Sequence, residues 1–359
     1  MKKEEIEKIN SEILSMFPEI LETNEITSRQ LNEYYIKSER KKFPRWLQQN
    51  RIRRGVYQFS DVGISIGGNN IKTVESKDLS VPLTNNTFVP FGIYAEMDVI
   101  ISSGKFFPVF VTGPTGNGKS TTVEQICAKH NKPMIRVNLN SKSDEESLIG
   151  SKTLIDGNVY VVEGPVLIAM KKGYILLLDE LDAASPNEIL CLQGILEGKP
   201  YYFKLTNEWI YPTSGFNIIA TANTKGKGSS DGQYIGTNVH NEAFLERFAV
   251  TLEQPYPDDE VEMSILLNIM KEQKCYNLNF ATTLVKWAKV IRKTFEEGGI
   301  DENITPRRLI HIVNAYSMFK DERKAVEMTL SRFDTETKKA FIDVFNSIFV
   351  QKVPKPKKE

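Results

Sequence analysis

Apolar residues Ile6, Ile9, Ile13, Leu14 and Phe17 recur at helical spacing in an otherwise polar stretch, which predicts a helix near the start of the chain. Thr27-Ser28 is placed to cap a second helix running through Tyr35, and Pro44-Arg-Trp-Leu47 to open a third. Gly55-Val-Tyr-Gln-Phe59 reads as a short strand. Helices followed by a strand predict a small helical, winged-helix-like module over residues 1–60. Residues 61–87, rich in Gly, Asn, Ser and Thr, read as a linker. From about Val89 the pattern changes. Pro108–Thr112, Met134–Asn138, Tyr174–Leu178 and Phe216–Thr221 are short apolar runs separated by helical patterns. Runs that are apolar throughout suit strands buried on both faces, so residues 88–256 are predicted to form a doubly wound α/β domain on a parallel sheet. After Pro255-Tyr-Pro257 the strand pattern stops. Val261, Ile265, Leu266 and Ile269 restart a helical period, which predicts an all-α domain over 257–352 and a solvated basic tail over 353–359.

Composition narrows the picture little but excludes several classes. The chain has 359 residues, 26% charged and 40% hydrophobic, which is ordinary globular composition and enough for two to three domains. Lys+Arg and Asp+Glu are both 46, so any attraction to nucleic acid or membrane must come from a local patch. Cys127, Cys191 and Cys275 have no CxxC spacing, and His130, His240 and His311 lie far apart, which argues against zinc and suits a reducing cytoplasm. No run approaches the roughly 18 apolar residues of a membrane span, and acids follow Met1-Lys-Lys where a signal peptide would have its apolar core.

The candidate chemistry is concentrated at strand ends. Gly113-Pro114-Thr115-Gly116-Asn117-Gly118-Lys119-Ser120, followed by Thr121, fits G-x-x-x-x-G-K-[ST] between a predicted strand and a predicted helix. Such a loop curls its amides around phosphate oxygens at a helix N-terminus. Lys119 is then expected to reach the β- and γ-phosphates of ATP, and Ser120 to ligate Mg²⁺. Asp179-Glu180 closes an apolar strand, which puts Asp179 beside the phosphate loop as a second Mg²⁺ holder and Glu180 in place to activate water. Asn223, after the fourth strand, is a candidate to orient that water. Arg247, in Ala243-Phe-Leu-Glu-Arg-Phe248, is a candidate arginine finger, and Arg307 or Arg308, after Thr305-Pro306, a second γ-phosphate contact.

These elements, in this order, resemble an AAA+ ATPase. Glu163-Gly-Pro165, Leu178-Asp-Glu-Leu-Asp182, Leu196-Glu-Gly-Lys199, Ala220–Gly228 and Ile235–Phe248 resemble the MoxR/CobS-like branch, with the closest likeness to CobS-like ATPases encoded by phages. The resemblance covers about residues 88–260 and, more loosely, the helices to about 320. It implies that Lys119 and Ser120 are the Walker A pair, Asp179 and Glu180 Walker B, Asn223 sensor 1, Arg247 a finger acting on a neighbouring subunit and Arg307 sensor 2. It also implies a hexameric ring, a protein client or a partner with a von Willebrand A-type domain, and a cytoplasmic setting. Asn117 departs from the Thr of many relatives, and little consequence is expected, because that position lies in the backbone curl. In relatives, hairpins such as Leu154–Val162, with its Asp156-Gly157 turn, and Tyr201–Tyr211 face the channel of the ring.

Residues 37–54 carry Lys37, Arg40, Lys41, Lys42, Arg45, Arg51, Arg53 and Arg54 against Glu39, with Trp46 among them. That pattern suits nucleic acid, an acidic partner or a solvated helix face. A ring-forming ATPase that remodels a protein client or a chelatase-like partner is the first expectation. A nucleic-acid motor with the same hairpin insertions is the alternative, and a nucleotide-gated scaffold the third, disfavoured by the intact Glu180.

Overall fold

The computed structural model describes residues 12–13, 15–18, 25–38, 51–53, 56–58, 72–74, 81–155, 158–228 and 236–350. The chain divides into two compact units between Asn70 and Ile71. In the first, β1 (Glu25–Thr27), β2 (Arg51–Arg53) and β3 (Val56–Gln58) form an antiparallel sheet in the order β1-β3-β2. Helix α1 (Ser28–Ser38) begins where Thr27-Ser28 predicted a start, and Ile13, Ile26, Leu31 and Tyr34 are buried. The helix expected to open at Pro44 lies outside the described residues, as does most of the basic segment.

The second unit is built on a five-stranded sheet in the order β13-β5-β12-β9-β6, all parallel. Its strands are β5 (Val109–Thr112), β6 (Met134–Asn138), β9 (Ile175–Asp179), β12 (Asn217–Thr221) and β13 (Val250–Glu253). The runs look continuous in sequence but divide by period two into two cores. Leu176, Leu178, Phe110, Ile135, Ile218 and Ala220 point to one face, where Val166, Leu167 and Met170 of α5 (Pro165–Lys172) and Phe244 and Phe248 cover them. Ile175, Leu177, Val109, Val111, Met134 and Ile219 point to the other, against Met97 and Ile101 of α2 (Tyr94–Ser103) and Val123 and Ile126 of α3 (Lys119–Lys129). The three central strands, β5, β12 and β9, are thus buried along their whole length, as the middle of a parallel sheet requires.

Two hairpins stand on the face covered by α5. Strands β7 (Gly150–Ile155) and β8 (Asn158–Glu163) pair antiparallel, and so do β10 (Tyr201–Phe203) and β11 (Glu208–Ile210). Residues 61–87 are not wholly a linker. Strand β4 (Lys72–Val74) adds to β8 in parallel, a three-residue pairing hidden by the surrounding Gly- and Asn-rich composition.

Three single-turn helices, α4 (Glu145–Leu148), α6 (Gln193–Leu196) and α7 (Glu242–Leu245), lie between the strands, and past Pro257 the described residues form α8 (Asp259–Glu272), α9 (Leu278–Glu296), α10 (Pro306–Phe319), α11 (Glu322–Thr329) and α12 (Thr335–Val350). Buried Trp287 anchors their core with edge-on contacts to Phe341 and Phe345, and its indole N–H donates to the Phe341 carbonyl at 2.9 Å. Asp258, Asn277, Thr305 and Asp321 each cap the helix that follows with a side-chain oxygen. The cap at Thr305 with Pro306 in the first turn starts α10, and the burial of Leu309, Ile312 and Val313 along one face sets which way the two adjacent arginines turn.

Candidate functional site

The carboxyl ends of β5, β9 and β12 open on a cavity of about 310 Å³ lined by Thr115 through Thr121, Arg136, Asn138, Asp179, Glu180, Thr221, Ala222, Asn223 and Arg307. The loop between β5 and α3 turns through positive φ at Gly113, Gly116 and Gly118. A Cβ on Gly113 would run into the Gln254 carbonyl oxygen, so no larger residue fits there. The loop runs directly into the N-terminus of α3, which is where a phosphate would be held.

Lys119 is 8% exposed. Its ammonium donates to the carbonyls of Gly113 at 2.7 Å and Pro114 at 2.9 Å, and to Asn223 Oδ1 at 3.1 Å. Burial pushes its pKa down to about 8; Asp182 and Asp179 oppose that shift, and Arg307 adds to it. A phosphate anion favours the charged amine, so binding should draw a proton onto Lys119 between pH 8 and its ordinary 10.5. Nucleotide affinity is accordingly expected to fall as pH rises above about 8. Calorimetry at pH 9 in two buffers of different ionisation heat should show net proton uptake; identical heats would contradict it.

Asp179 lies at the end of β9, nearly buried. Its Oδ1 accepts from the Ser120 hydroxyl at 2.7 Å and from the Thr221 hydroxyl, and its Oδ2 from Arg136. Burial raises its pKa, but the Thr221 and Ser120 hydrogen bonds and the charge of Arg136 outweigh that and hold it below the usual carboxylate range. An ionised carboxylate beside a hydroxyl is the hard oxygen donor set that Mg²⁺ takes together with nucleotide phosphates. The residues fit that cation. Glu180, next in sequence, is exposed and adopts a left-handed backbone with φ 61° and ψ 48°, its amide donating to Thr221 Oγ1 at 3.2 Å.

Arg307 lines the cavity. Arg308 does not: it donates to the Thr329 carbonyl at 3.0 Å and packs on Phe333 within the helical domain. The pair that sequence left open is thereby separated. Arg247 is outside the cavity on its own chain; its guanidinium bonds Glu197 at 2.9 Å and the Ala243 carbonyl.

The expectation that residue 117 matters little does not hold. Asn117 is 2% exposed, and its amide donates to the Gln254 carbonyl while its Oδ1 accepts from Lys119 at 3.4 Å. Gln254, fully buried, accepts from the Ile93 amide at 3.0 Å. The side chain turns inward from the curl and ties the phosphate loop to the segment leading into α8. Sequence reasoning also passed over Arg136, Thr221 and Asp182. Asp182 is 1% exposed, and one of its oxygens accepts from the amides of Asn223 at 2.8 Å and Thr224 at 2.9 Å, fixing the loop that carries Asn223.

A second cavity of about 330 Å³ shares Gly116, Asn117, Gly118 and Thr121 with the first and opens between that loop and the helical domain. Phe91, Val89, Pro257, Ile265, Ile269 and Ile310 make it largely apolar. A polar cavity rich in cations beside an apolar slot suits a phosphate chain joined to a flat base.

Residues 108–248 match the model of the AAA domain, dynein-related subfamily. An uncharacterized protein of Staphylococcus epidermidis is 32% identical over 239 residues, which span 64% of this chain and 85% of that protein. One from Staphylococcus saprophyticus is 30% identical with the same coverage. Among solved structures, a RuvB mutant of Thermotoga maritima aligns with a TM-score of 0.43 at 13% identity, over 70% of this chain and 67% of that one.

Proposed function

The chain belongs to the AAA+ family, and from that premise we propose that it is a Mg²⁺-dependent ATPase acting as a ring, which couples hydrolysis to remodelling of a protein client. The observation that carries this reading is the division of polar and charged groups. Lys119, Ser120, Asp179, Glu180, Asn223 and Arg307 surround one cavity, whereas Arg247 lies outside it on the same chain. A head-to-tail contact between copies would supply the missing arginine. The MoxR/CobS-like assignment, a hexamer and a von Willebrand A-type partner belong to the same proposal.

In this reading the loop amides and Lys119 bind the phosphates, and the apolar slot takes the adenine. Ser120 and Asp179 would hold Mg²⁺, which when bound neutralises the β- and γ-phosphate oxygens. Glu180 accepts the proton of the attacking water, Asn223 orients that water, and Arg307 draws the helical domain onto the nucleotide. The hairpin β10–β11 supports a protein client, because Tyr202 and Trp209 pack together with ring centroids 5.3 Å apart while both remain exposed. Amphipathic aromatics of this kind grip an extended chain with little loss of side-chain entropy.

ATPase activity per subunit is expected to rise with protein concentration as rings form, and to be unaffected by added DNA or RNA. A specific rate independent of concentration down to a sedimentation-verified monomer counts against the ring. Strong stimulation by nucleic acid favours the motor.

A further inference from the structure

Arg136 has no place in the mechanism above, yet it lines the phosphate cavity with Lys119 and Arg307. It lies on β6, the edge strand beside β9. Its guanidinium is shared among three acceptors. Nη1 donates to Glu124 Oε1 at 2.8 Å, Nε to Asn138 Oδ1 at 3.1 Å, and Nη2 to Asp179 Oδ2. The other groups bonded to the Asp179 carboxylate, Ser120 and Thr221, are neutral hydroxyls. Among the described residues, Arg136 is thus the one charged group bonded to the aspartate expected to hold the metal.

We propose that Arg136 is a built-in counter-charge that occupies Asp179 until a divalent cation arrives and competes with that cation for it. The inference rests on the reading of the cavity as a Mg·ATP site. A cation between Ser120 and Asp179 would stand next to the guanidinium, and like charges at that range repel. The side chain is 41% exposed and tethered to Glu124 on α3, so it can give up Asp179 while staying anchored. Without the cation, Arg136 screens the aspartate from the incoming phosphates. With the cation, it becomes a competitor. Arg136 is a positioning residue in this account and touches neither water nor the scissile bond.

The two effects have opposite signs, which gives a readout independent of turnover. ATP affinity of the full chain is measured by calorimetry in EDTA and at graded Mg²⁺. Arg136→Gln is expected to bind metal-free ATP on the order of tenfold more weakly and to reach half-maximal Mg²⁺ enhancement at severalfold lower Mg²⁺. Arg136→Lys, which keeps the charge but loses the fork, should fall between the parent and Arg136→Gln. A purely structural role would weaken ATP binding by the same factor with and without Mg²⁺, and that result overturns the inference, as does an unchanged Mg²⁺ midpoint in both variants. If the parent chain itself binds no ATP under any condition, the nucleotide reading of the cavity fails first and takes this inference with it.

Discussion

Glu180→Gln is expected to bind ATP with parental affinity and to lose turnover by about 10²–10⁴-fold. The amide is nearly isosteric and leaves every phosphate contact of the loop in place, but it cannot accept a proton from water. Arg247→Ala is expected to be dead for a different reason, because the arginine is absent from the neighbour's site, at a cost of ~10³-fold or more. Each variant retains what the other lacks. In a mixed ring, some interfaces pair the intact Glu180 of one copy with the intact Arg247 of the next, so mixing two inactive proteins should restore partial activity. The recovered rate should rise with total concentration. If mixed rings form and no activity returns, Arg247 is only a partner of Glu197, the contact it makes within its own chain.

Lys119→Ala is the second large effect. ATP affinity should fall about a hundredfold or more, since the amine is the loop's only cation for the β- and γ-phosphates. The loss has two parts. The direct charge on the phosphate disappears. The carbonyls of Gly113 and Pro114, which share the ammonium, also lose their partner, so the loop no longer holds its anion-binding curl without nucleotide. Arg136 and Arg307 remain in the cavity and leave residual binding. Calorimetry on a variant with an unchanged melting curve measures the effect, and an affinity within threefold of the parent would refute the role given to Lys119.

The phosphate loop and the Asp179-Glu180 pair were legible because each is a contiguous motif set against strand and helix patterns. The five parallel strands were legible only in part. Four of them are apolar runs, whereas β13, Val250–Glu253, is a four-residue Val-Thr-Leu-Glu alternation at the sheet edge, a half-buried strand pattern too short to stand out beside the apolar runs. Arg136 and Asp182 were given no role for another reason. Each has one partner in the site about forty residues away, Asp179 for Arg136 and the Asn223 amide for Asp182, and only the register of β6 against β9 and the fold of the loop after β12 bring them together. Asn117 was misjudged because the motif treats its position as a spacer. The cap at Thr305 shows the opposite case: the Thr-Pro start was readable, and the helix opens there.

The left-handed backbone of Glu180 has a consequence for how this chain would respond to selection. A side chain with a Cβ costs about 1 kcal/mol or more in that region relative to glycine. Glu180→Gly would therefore relieve strain and, if judged by melting temperature alone, count as an improvement. On the role proposed for Glu180, a library screened for thermal tolerance alone would drift towards glycine at this site and enrich proteins that hold nucleotide but do not turn it over. On that role, the residue at position 180 in an engineered descendant would report which of stability and turnover was selected.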